Sequence, residues 1–203
     1  MNMHIAKRII DIILALGGLI LASPLFIFCT LATYWQLGWP IFFTQDRLGK
    51  DGKIFKIWKF RTMLVNAPQL VRCVPNLNGI YAKNNYKIPC SESYLVPVWG
   101  RIMRKTSLDE LPQLINILLG EMSLVGPRPI VPPEIKEYGP YGQKLLSVRP
   151  GLTGYWQVSG RNKIGYPERV SYDMYYIDHQ SLAFDFKIIW RTVWVALTLD
   201  GSV

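Results

Sequence analysis

The sequence predicts an α+β protein with two parts. The first is an N-terminal re-entrant membrane helix with a central break (residues 1–36). The second is a small, mostly helical cytosolic domain (residues 37–203) with a short β-hairpin and interfacial amphipathic helices. Three observations lead to this fold class. Residues 9–34 are nearly all apolar. Two apolar stretches within residues 41–58, separated by turn residues, are typical of a hairpin. Most later segments carry the apolar spacing and end signals of short helices.

The composition is basic and rich in apolar residues. The chain has 203 residues, enough for one domain with a real core, and its net charge is +9. Half of the residues are hydrophobic, and the mean hydropathy is +0.14. Such a basic protein is suited to nucleic acid, anionic lipid or phosphorylated substrates. The three cysteines lack metal-ligand spacing and the two histidines are isolated, which indicates a reducing compartment, no disulfide framework and no zinc site.

The N-terminal apolar run contains a break and has positive charge on both sides. The run is long enough to cross a bilayer, and Asp11 is its only charge. Pro24 interrupts the helical hydrogen bonds near the midpoint, and Ser23 can satisfy a freed carbonyl. An ordinary spanning helix with a proline kink is one interpretation. Lys7 and Arg8 precede the run, however, and six bases follow it: Arg47, Lys50, Lys53, Lys56, Lys59 and Arg61. Because positive charge marks the cytosolic side, we expect both ends to lie on that face.

The segment after the apolar run predicts the hairpin. Residues 41–45 and 53–58 are rich in aromatic and β-branched side chains, and turn signals lie between them at Leu48-Gly49 and Asp51-Gly52. We therefore expect these two stretches to pair. Residues 73–93 are polar and rich in turn residues, which is typical of a surface loop.

Two adjacent carboxylates, Asp109 and Glu110, follow a basic run and precede a predicted helix. This helix is expected over residues 108–119, with Gly120 as its end signal. One interpretation is structural, because Ser107 and Glu110 have the spacing of a capping box. The other is functional. A helix N-terminus keeps a carboxylate ionised and also attracts phosphate, so the pair would mark a site where a metal-bound phosphate meets a carboxylate nucleophile.

The C-terminal half predicts helices separated by stiff loops. Residues 125–129 are too rich in proline to be helical and should form extended backbone. A helix is expected within residues 132–148 and another at residues 168–178, with a short strand at residues 155–158 within a glycine-rich loop. Residues 184–199 suit either a helix in the membrane interface, with tryptophan at headgroup level, or a core-packed helix.

Five arginines each lie beside a turn, a proline or a glycine: Arg61, Arg104, Arg128, Arg149 and Arg161. The planar guanidinium group binds phosphate through two parallel hydrogen bonds. Any one of them is better explained as a solvated surface charge, but five in such contexts favour a phosphate site. Nucleic-acid binding is one competing explanation, although the chain carries no recognisable nucleic-acid motif and its apolar N-terminus favours a lipid surface. A non-enzymatic basic scaffold on anionic lipid is the other.

Taken together, these segments resemble one family, the bacterial sugar transferases (monotopic phosphoglycosyl transferases). The resemblance covers nearly the whole chain, in order. It rests on KRIID (7–11), SP (23–24), FFTQDRLG (42–49), KFRTM (59–63), RKTSLDELPQL (104–114), GEMSLVGPRP (120–129), RPGLTG (149–154) and YDMYYI (172–177). Each motif alone is moderately specific, whereas the ordered set is highly specific.

The resemblance implies a reaction. Such enzymes transfer a sugar-1-phosphate from a UDP-sugar to undecaprenyl phosphate and release UMP. They begin glycoconjugate assembly on the cytosolic face of the bacterial cytoplasmic membrane. The family uses Mg²⁺ and a covalent phosphosugar–aspartate intermediate. The matching positions here are Asp109 as the nucleophile and Glu110 as its acidic partner, both at the metal.

The same resemblance implies roles for further residues. The substrate-binding positions are Lys59, Arg61, Arg104, Arg128, Arg149, Arg161 and Asp173. The positions near the lipid acceptor and the membrane are Lys7, Arg8, Ser23 and Pro24. The expected partners are the UDP-sugar, undecaprenyl phosphate and membrane lipid, with no nucleic acid and with a homodimer as an option. The run GYWQVSGR (154–161) slightly favours a hexose over an acetamido sugar.

Overall fold

The apolar N-terminal segment forms two helices, α1 (Met3–Leu21) and α2 (Ser23–Leu37), with a bend of 62° between them. Pro24 lies in the first turn of α2, where its missing N–H leaves no helical hydrogen bond unmade. The Ser23 hydroxyl donates to the Ile20 carbonyl oxygen at 2.8 Å. The predicted helix–break–helix is therefore confirmed. The computed structural model describes residues 3–67, 95–160 and 164–198. The predicted loop at residues 73–93 lies outside these ranges.

Within the described ranges, no helix taken singly is long and apolar enough to cross a bilayer, whereas the bent pair of α1 and α2 meets that criterion when counted together. The re-entrant path through a membrane stays a prediction. Many large apolar side chains of the two helices are more than half exposed: Ile13, Ile20, Leu21, Phe28, Leu31 and Trp35.

The predicted hairpin is confirmed and is longer than expected. Strands β1 (Phe42–Leu48) and β2 (Ile54–Phe60) pair antiparallel, with Phe42 opposite Phe60. The turn between them passes through Asp51, which has φ 58° in the left-handed region that few residues other than glycine adopt. This hairpin carries Lys59 near the end of β2.

The remaining described elements follow in chain order. They are α3 (Val98–Thr106), a 3₁₀ turn (Leu108–Glu110), α4 (Gln113–Leu119), β3 (Ser123–Val125), a 3₁₀ helix (Pro132–Tyr141), α5 (Gly142–Leu146), β4 (Gly151–Thr153), α6 (Tyr155–Ser159), α7 (Glu168–Asp178) and α8 (Leu182–Thr198). The α+β class with a short hairpin is therefore correct.

Two helix predictions need adjustment and one strand prediction is wrong. The helix expected at residues 108–119 is divided, because Pro112 directly precedes α4 and cannot donate a helical hydrogen bond. The segment 132–148 contains a helix as expected, but only α5 is α-helical, and the 3₁₀ helix before it is interrupted at Gly139, where φ is 48°. Residues 155–158 form the helix α6 and not a strand. Their aromatic and β-branched side chains favour strands, but this preference is weak, and the Val158 N–H donates to the Gly154 carbonyl oxygen at 3.3 Å, as in a helix.

The two C-terminal helices lie where the sequence predicts them. Helix α7 has the expected bounds, and α8 covers most of residues 184–199. Ile188 of α8 is fully buried against Val125 and Tyr176, as the core-packed interpretation requires. Trp190 and Trp194 are 76% and 66% exposed, as the interfacial interpretation requires. The helix thus has one buried face and one exposed face, and its position in the membrane interface stays a prediction.

Helix α1 packs directly onto the rest of the protein. Its Ala15 belongs to a buried cluster with residues of β2 and α4. The other members of this cluster are Phe55, Ile57, Leu114, Ile117 and Met122. Gly18 lies next to the Leu114 side chain, since a β-carbon at Gly18 would be 3.6 Å from Leu114 Cδ1. The core therefore links α1 to the segment that follows the acid pair.

Strands β3 and β4 approach each other through two glycines. They pair parallel, and the Gly151 N–H donates to the Pro127 carbonyl oxygen at 2.8 Å. A β-carbon at Gly151 would lie well inside contact distance of the Gly126 backbone. Since backbone atoms cannot move aside as a flexible side chain does, only glycine fits at this position.

We expect Gly151→Ala to lower the free energy of unfolding by about 1–3 kcal/mol, because the methyl group forces β3 and β4 apart. Urea unfolding of the purified protein measures this loss. Gly165→Ala is the matched control, since no atom of the described residues lies within 4 Å of a β-carbon there. Equal unfolding midpoints for the two variants would contradict the close approach.

Candidate active site

The acid pair lies in a tight turn between two helices. Helix α3 ends at Thr106, and Ser107 adopts the left-handed conformation with φ 59°. A 3₁₀ turn then carries Asp109 and Glu110. Ser107 makes no side-chain capping hydrogen bond to this turn, so the capping-box interpretation of the pair is wrong. In this turn Glu110 reaches Lys59 of β2 and Arg128 of the loop after β3.

Asp109 is buried among charged groups. Its exposed fraction is 8%, and burial raises the pKa of its carboxyl group above the ordinary value. Lys59 lowers this pKa, Glu110 raises it, and Arg104 and Arg128 lower it further. The helix-terminus argument predicted that Asp109 stays ionised. The net shift is upward because loss of water outweighs the favourable charges.

Glu110 joins three distant segments of the chain. Its Oε1 atom lies 2.6 Å from Lys59 Nζ, which belongs to β2, and 3.8 Å from Arg128 Nη1, which belongs to the loop after β3. The three side chains are only 15–20% exposed, so the pairs are weakly screened by water. Lys59 precedes the acid pair in the sequence and Arg128 follows it, and both side chains contact Glu110.

The backbone that carries Arg128 is held on both sides. The Leu48 N–H donates to the Ile130 carbonyl oxygen at 3.0 Å, and Arg47 Nη1 donates to the Pro129 carbonyl oxygen at 2.8 Å. Prolines at positions 127 and 129 remove further freedom. As predicted, residues 125–129 are not helical: Val125 ends β3, and residues 126–129 belong to no helix or strand. Arg128 is therefore positioned before any ligand arrives.

Arg104 reaches the same site from α3. Its Nε donates to the Thr62 hydroxyl at 3.0 Å, and its charge acts on Asp109. Five residues predicted from sequence thus come together around one turn: Lys59, Arg104, Asp109, Glu110 and Arg128.

Four other predicted substrate-binding residues either make contacts away from the acid pair or lie outside the described residues. Arg61 is buried, and its Nη2 donates to the Gly38 carbonyl oxygen at 2.7 Å, where it holds the end of α2. Arg149 Nε donates to the Gly120 carbonyl oxygen at 2.8 Å, beyond the end of α4. Asp173 is fully buried and accepts a hydrogen bond from the Tyr138 hydroxyl. Arg161 lies outside the described residues. The roles proposed for these four residues stay predictions.

The predicted acceptor residues are bound within the protein or at the helix bend. Lys7 Nζ pairs with Asp185 Oδ2 at 2.6 Å, and its side chain is 12% exposed. Arg8 donates to the Ile117 carbonyl oxygen at 2.6 Å, near the end of α4. Ser23 and Pro24 form the bend between α1 and α2. Lys7 and Arg8 therefore make intramolecular contacts that the sequence did not predict.

A second charged cluster was missed by sequence reasoning. Glu134 Oε1 accepts from Arg169 Nη1 at 3.0 Å and from the Tyr166 hydroxyl at 2.7 Å. The Arg169 guanidinium lies over the Trp156 ring, 4.5 Å from its centroid. Burial raises the pKa of the nearby Asp173 to about 6. One signal was available: Arg169 lies beside Val170 and four residues before Asp173, on the apolar side of a predicted helix.

The fold and the site together indicate the class of protein to which the chain belongs. A buried carboxylate beside a second carboxylate, enclosed by one lysine and two arginines, is an arrangement for phosphate chemistry. The chain belongs to the bacterial sugar transferase family, whose sequence model matches residues 2–199. It is thus of the transferase class, and the family predicted from the motifs is confirmed.

Several curated proteins are similar to the chain. It is 40% identical over 199 residues to the exopolysaccharide production protein ExoY of Sinorhizobium fredii, covering 98% of this chain and 88% of that protein. It is 40% identical over 197 residues to the undecaprenyl-phosphate galactose phosphotransferase of Salmonella typhimurium. That match covers 97% of this chain and 41% of the relative.

A third relative names a different sugar. The UDP-glucose:undecaprenyl-phosphate glucose-1-phosphate transferase of Klebsiella pneumoniae is 37% identical over 197 residues. That match covers 92% of this chain and 39% of the relative. The chain thus spans about two fifths of the length of both the Salmonella and the Klebsiella relative.

Proposed function

We propose that the protein transfers a sugar-1-phosphate from a UDP-sugar to undecaprenyl phosphate and releases UMP. The reaction proceeds through a phosphosugar bound covalently to Asp109. The observation that carries this proposal is the convergence of Lys59, Arg104 and Arg128 on the buried pair of Asp109 and Glu110. Similar proteins whose names specify transfer to undecaprenyl phosphate support the substrates.

The first displacement forms the covalent intermediate. An oxygen of the Asp109 carboxylate attacks the phosphorus that carries the sugar, and the bond from this phosphorus to the bridging oxygen of UMP breaks. UMP leaves with that oxygen and its electron pair. Lys59, Arg104 and Arg128 bind the phosphate oxygens and stabilise the negative charge of the transition state. Because these groups are already held by the protein, little reorganisation accompanies the reaction.

The second displacement returns Asp109 to its starting state. A phosphate oxygen of undecaprenyl phosphate attacks the same phosphorus, and the bond between this phosphorus and Asp109 breaks. The product is an undecaprenyl diphosphate sugar. Two displacements at one residue let a single site serve a water-soluble donor and a lipid acceptor in turn.

The carboxylates fit the magnesium ion that the family resemblance implies. Carboxylate oxygens are ligands that Mg²⁺ prefers, and this ion is commonly held by one or two carboxylates together with substrate phosphates. In the part of the chain that the structure describes, no group of three or more histidine, cysteine, aspartate or glutamate side chains forms a fuller set of ligands. Asp109 and Glu110 would therefore hold the ion jointly with the donor. When bound, Mg²⁺ neutralises phosphate charge that otherwise repels Asp109.

The N-terminal helices support action at the cytosolic face of the cytoplasmic membrane. Their apolar side chains are widely exposed, including Leu21 at 84% and Trp35 at 91%. Exposed apolar surfaces of this extent are typical of membrane or protein contacts. The bend at Ser23 and Pro24, with bases before and after the pair of helices, favours a segment that enters and leaves on one side.

Incubation with Mg²⁺ and a UDP-sugar alone is expected to add one phosphosugar to the protein at Asp109. Intact mass spectrometry after rapid acid quench measures the mass increase, and peptide mapping locates it. A panel of UDP-hexoses and UDP-acetamido sugars identifies the donor. Asp178→Asn, which changes a 52% exposed carboxylate on α7, is the matched control and should form the same adduct. An enzyme that turns over both substrates without any adduct would show direct transfer instead.

A further inference from the structure

One turn of α1 forms polar contacts with three separate parts of the protein. Lys7 pairs with Asp185 of α8 at 2.6 Å, and Arg8 donates to the carbonyl oxygens of Ile117 and Leu118 at 2.6 and 3.0 Å. Asp11 Oδ1 accepts from the Leu124 N–H of β3 at 3.0 Å. We call Lys7, Arg8 and Asp11 the polar turn. Apart from Asp185, the side chains around Lys7 and Asp11 are apolar, and Asp11 is only 4% exposed.

These contacts specify one orientation of α1. A buried ion pair adds little net stability over apolar residues of similar size, but a buried charge without its partner is strongly unfavourable. Shifting α1 by one turn along its axis, about 5.4 Å, would leave Asp11 and Asp185 without their present partners. Apolar packing alone tolerates such a shift better, because it is not directional. The polar turn therefore fixes both the depth and the rotation of α1.

The partners of the polar turn lie close in sequence to the site residues. Helix α4, whose last carbonyl groups bind Arg8, begins three residues after Glu110. Strand β3, whose backbone binds Asp11, ends three residues before Arg128. The Tyr176 hydroxyl lies 2.7 Å from Asp185 Oδ1 and 3.1 Å from the Val125 carbonyl oxygen, which connects the ion pair to β3 as well. The orientation of α1 is thus tied to both segments that carry the reacting groups.

We propose that Asp11 and Asp185 are positioning residues for the lipid half of the reaction. Through Lys7 and the β3 backbone they set the height of the site relative to the membrane-facing helices. The acceptor phosphate is confined to the membrane surface, so its transfer depends on that height. The UDP-sugar arrives from water, so formation of the Asp109 adduct does not depend on the height of the site. This inference rests on the proposed function.

The test separates the two half-reactions in lipid nanodiscs. A single turnover with UDP-sugar alone measures UMP release, and addition of undecaprenyl phosphate to the preformed adduct measures transfer. We expect Lys7→Met and Asp185→Asn to slow transfer about tenfold while UMP release changes much less. The double variant Lys7→Asp with Asp185→Lys restores the pair in reverse and should recover most of the transfer rate. Lys144→Met and Asp178→Asn, in an exposed ion pair between α5 and α7, are controls that should leave both rates unchanged.

Asp11 supplies a second pair of variants if the ion-pair variants do not fold. Asp11→Asn keeps an oxygen that accepts from the Leu124 N–H, whereas Asp11→Ala removes it. We expect transfer to be retained in the first variant and lost in the second. Equal slowing of UMP release and transfer in all folded variants, or unchanged transfer in Asp11→Ala, would overturn the proposal. Absence of UMP release from the native protein with every UDP-sugar would instead refute the proposed function.

Discussion

Asp109→Asn is expected to abolish turnover while the protein stays folded. The asparagine amide is a far weaker nucleophile than a carboxylate, so the covalent intermediate does not form. We expect UMP release in the presence of both substrates to fall by about three orders of magnitude or more. The asparagine side chain has nearly the same shape as aspartate and fills the same buried space.

The same variant should be at least as stable as the native protein at neutral pH. Burial raises the pKa of Asp109 above 3.8, its ordinary value, so the folded state binds this proton more tightly than the unfolded state. The stability contributed by the proton is fully present below pH 3.8 and is lost as the pH rises through the folded-state pKa. Asparagine does not titrate. The stability of the variant relative to the native protein should therefore increase over this pH range, measured by urea unfolding at several pH values.

Asp178→Asn is the control for both measurements, because this carboxylate is 52% exposed on α7. It should retain turnover, and its free energy of unfolding at neutral pH should be within about 1 kcal/mol of the native value, because its ion pair is exposed. Substantial UMP release by Asp109→Asn would remove Asp109 from the nucleophile role. Severe unfolding of Asp109→Asn alone would show instead that the carboxylate is needed for the local structure of the turn.

Much of the site was predictable because its residues lie in local contexts that limit their structure. Prolines hold Arg128 in extended backbone, and the hairpin pattern places Lys59 near the end of a strand. The order of these motifs along the chain identified the family. The burial of Asp109 was not predictable in this way, because it depends on how β2, α3 and the loop after β3 pack around one turn.

Long-range pairing of charges could not be read from the sequence. Asp11 is a single charge in an apolar run, and its partner Leu124 is 113 residues away. Glu134 and Arg169 are 35 residues apart, and neither belongs to a motif used for the resemblance. The wrong strand prediction at residues 155–158 also reflects contacts with residues distant in sequence. Strand propensity is a weak preference that depends on tertiary context, and the context of Trp156, which is buried beside Arg169, involves residues distant in sequence.

Of the substitutions proposed here, Arg169→Met is expected to cause the largest loss of unfolding free energy. Arg169, Glu134 and Asp173 are each 1–3% exposed, and the guanidinium carries the positive charge that compensates both carboxylates. Methionine fills much of the volume but leaves the carboxylates buried without a counter-charge. Removal of one partner from a buried pair typically costs about 3–5 kcal/mol of unfolding free energy. Urea unfolding of the native protein and the variant measures the difference.

Removal of Arg169 should also disturb the position of Arg128 in the candidate active site. Glu134 Oε2 accepts from the Val131 N–H at 3.2 Å, so the carboxylate that pairs with Arg169 also holds the loop that carries Arg128. Lys144→Met, in an exposed ion pair with Asp178, is the matched control and should change stability by about 0–1 kcal/mol. If Arg169→Met were no more damaging than this control, protonation of Asp173 in the folded state would be the explanation of the small loss. The pKa of about 6 for Asp173 makes that explanation testable, because the loss would then grow as the pH is raised above 6.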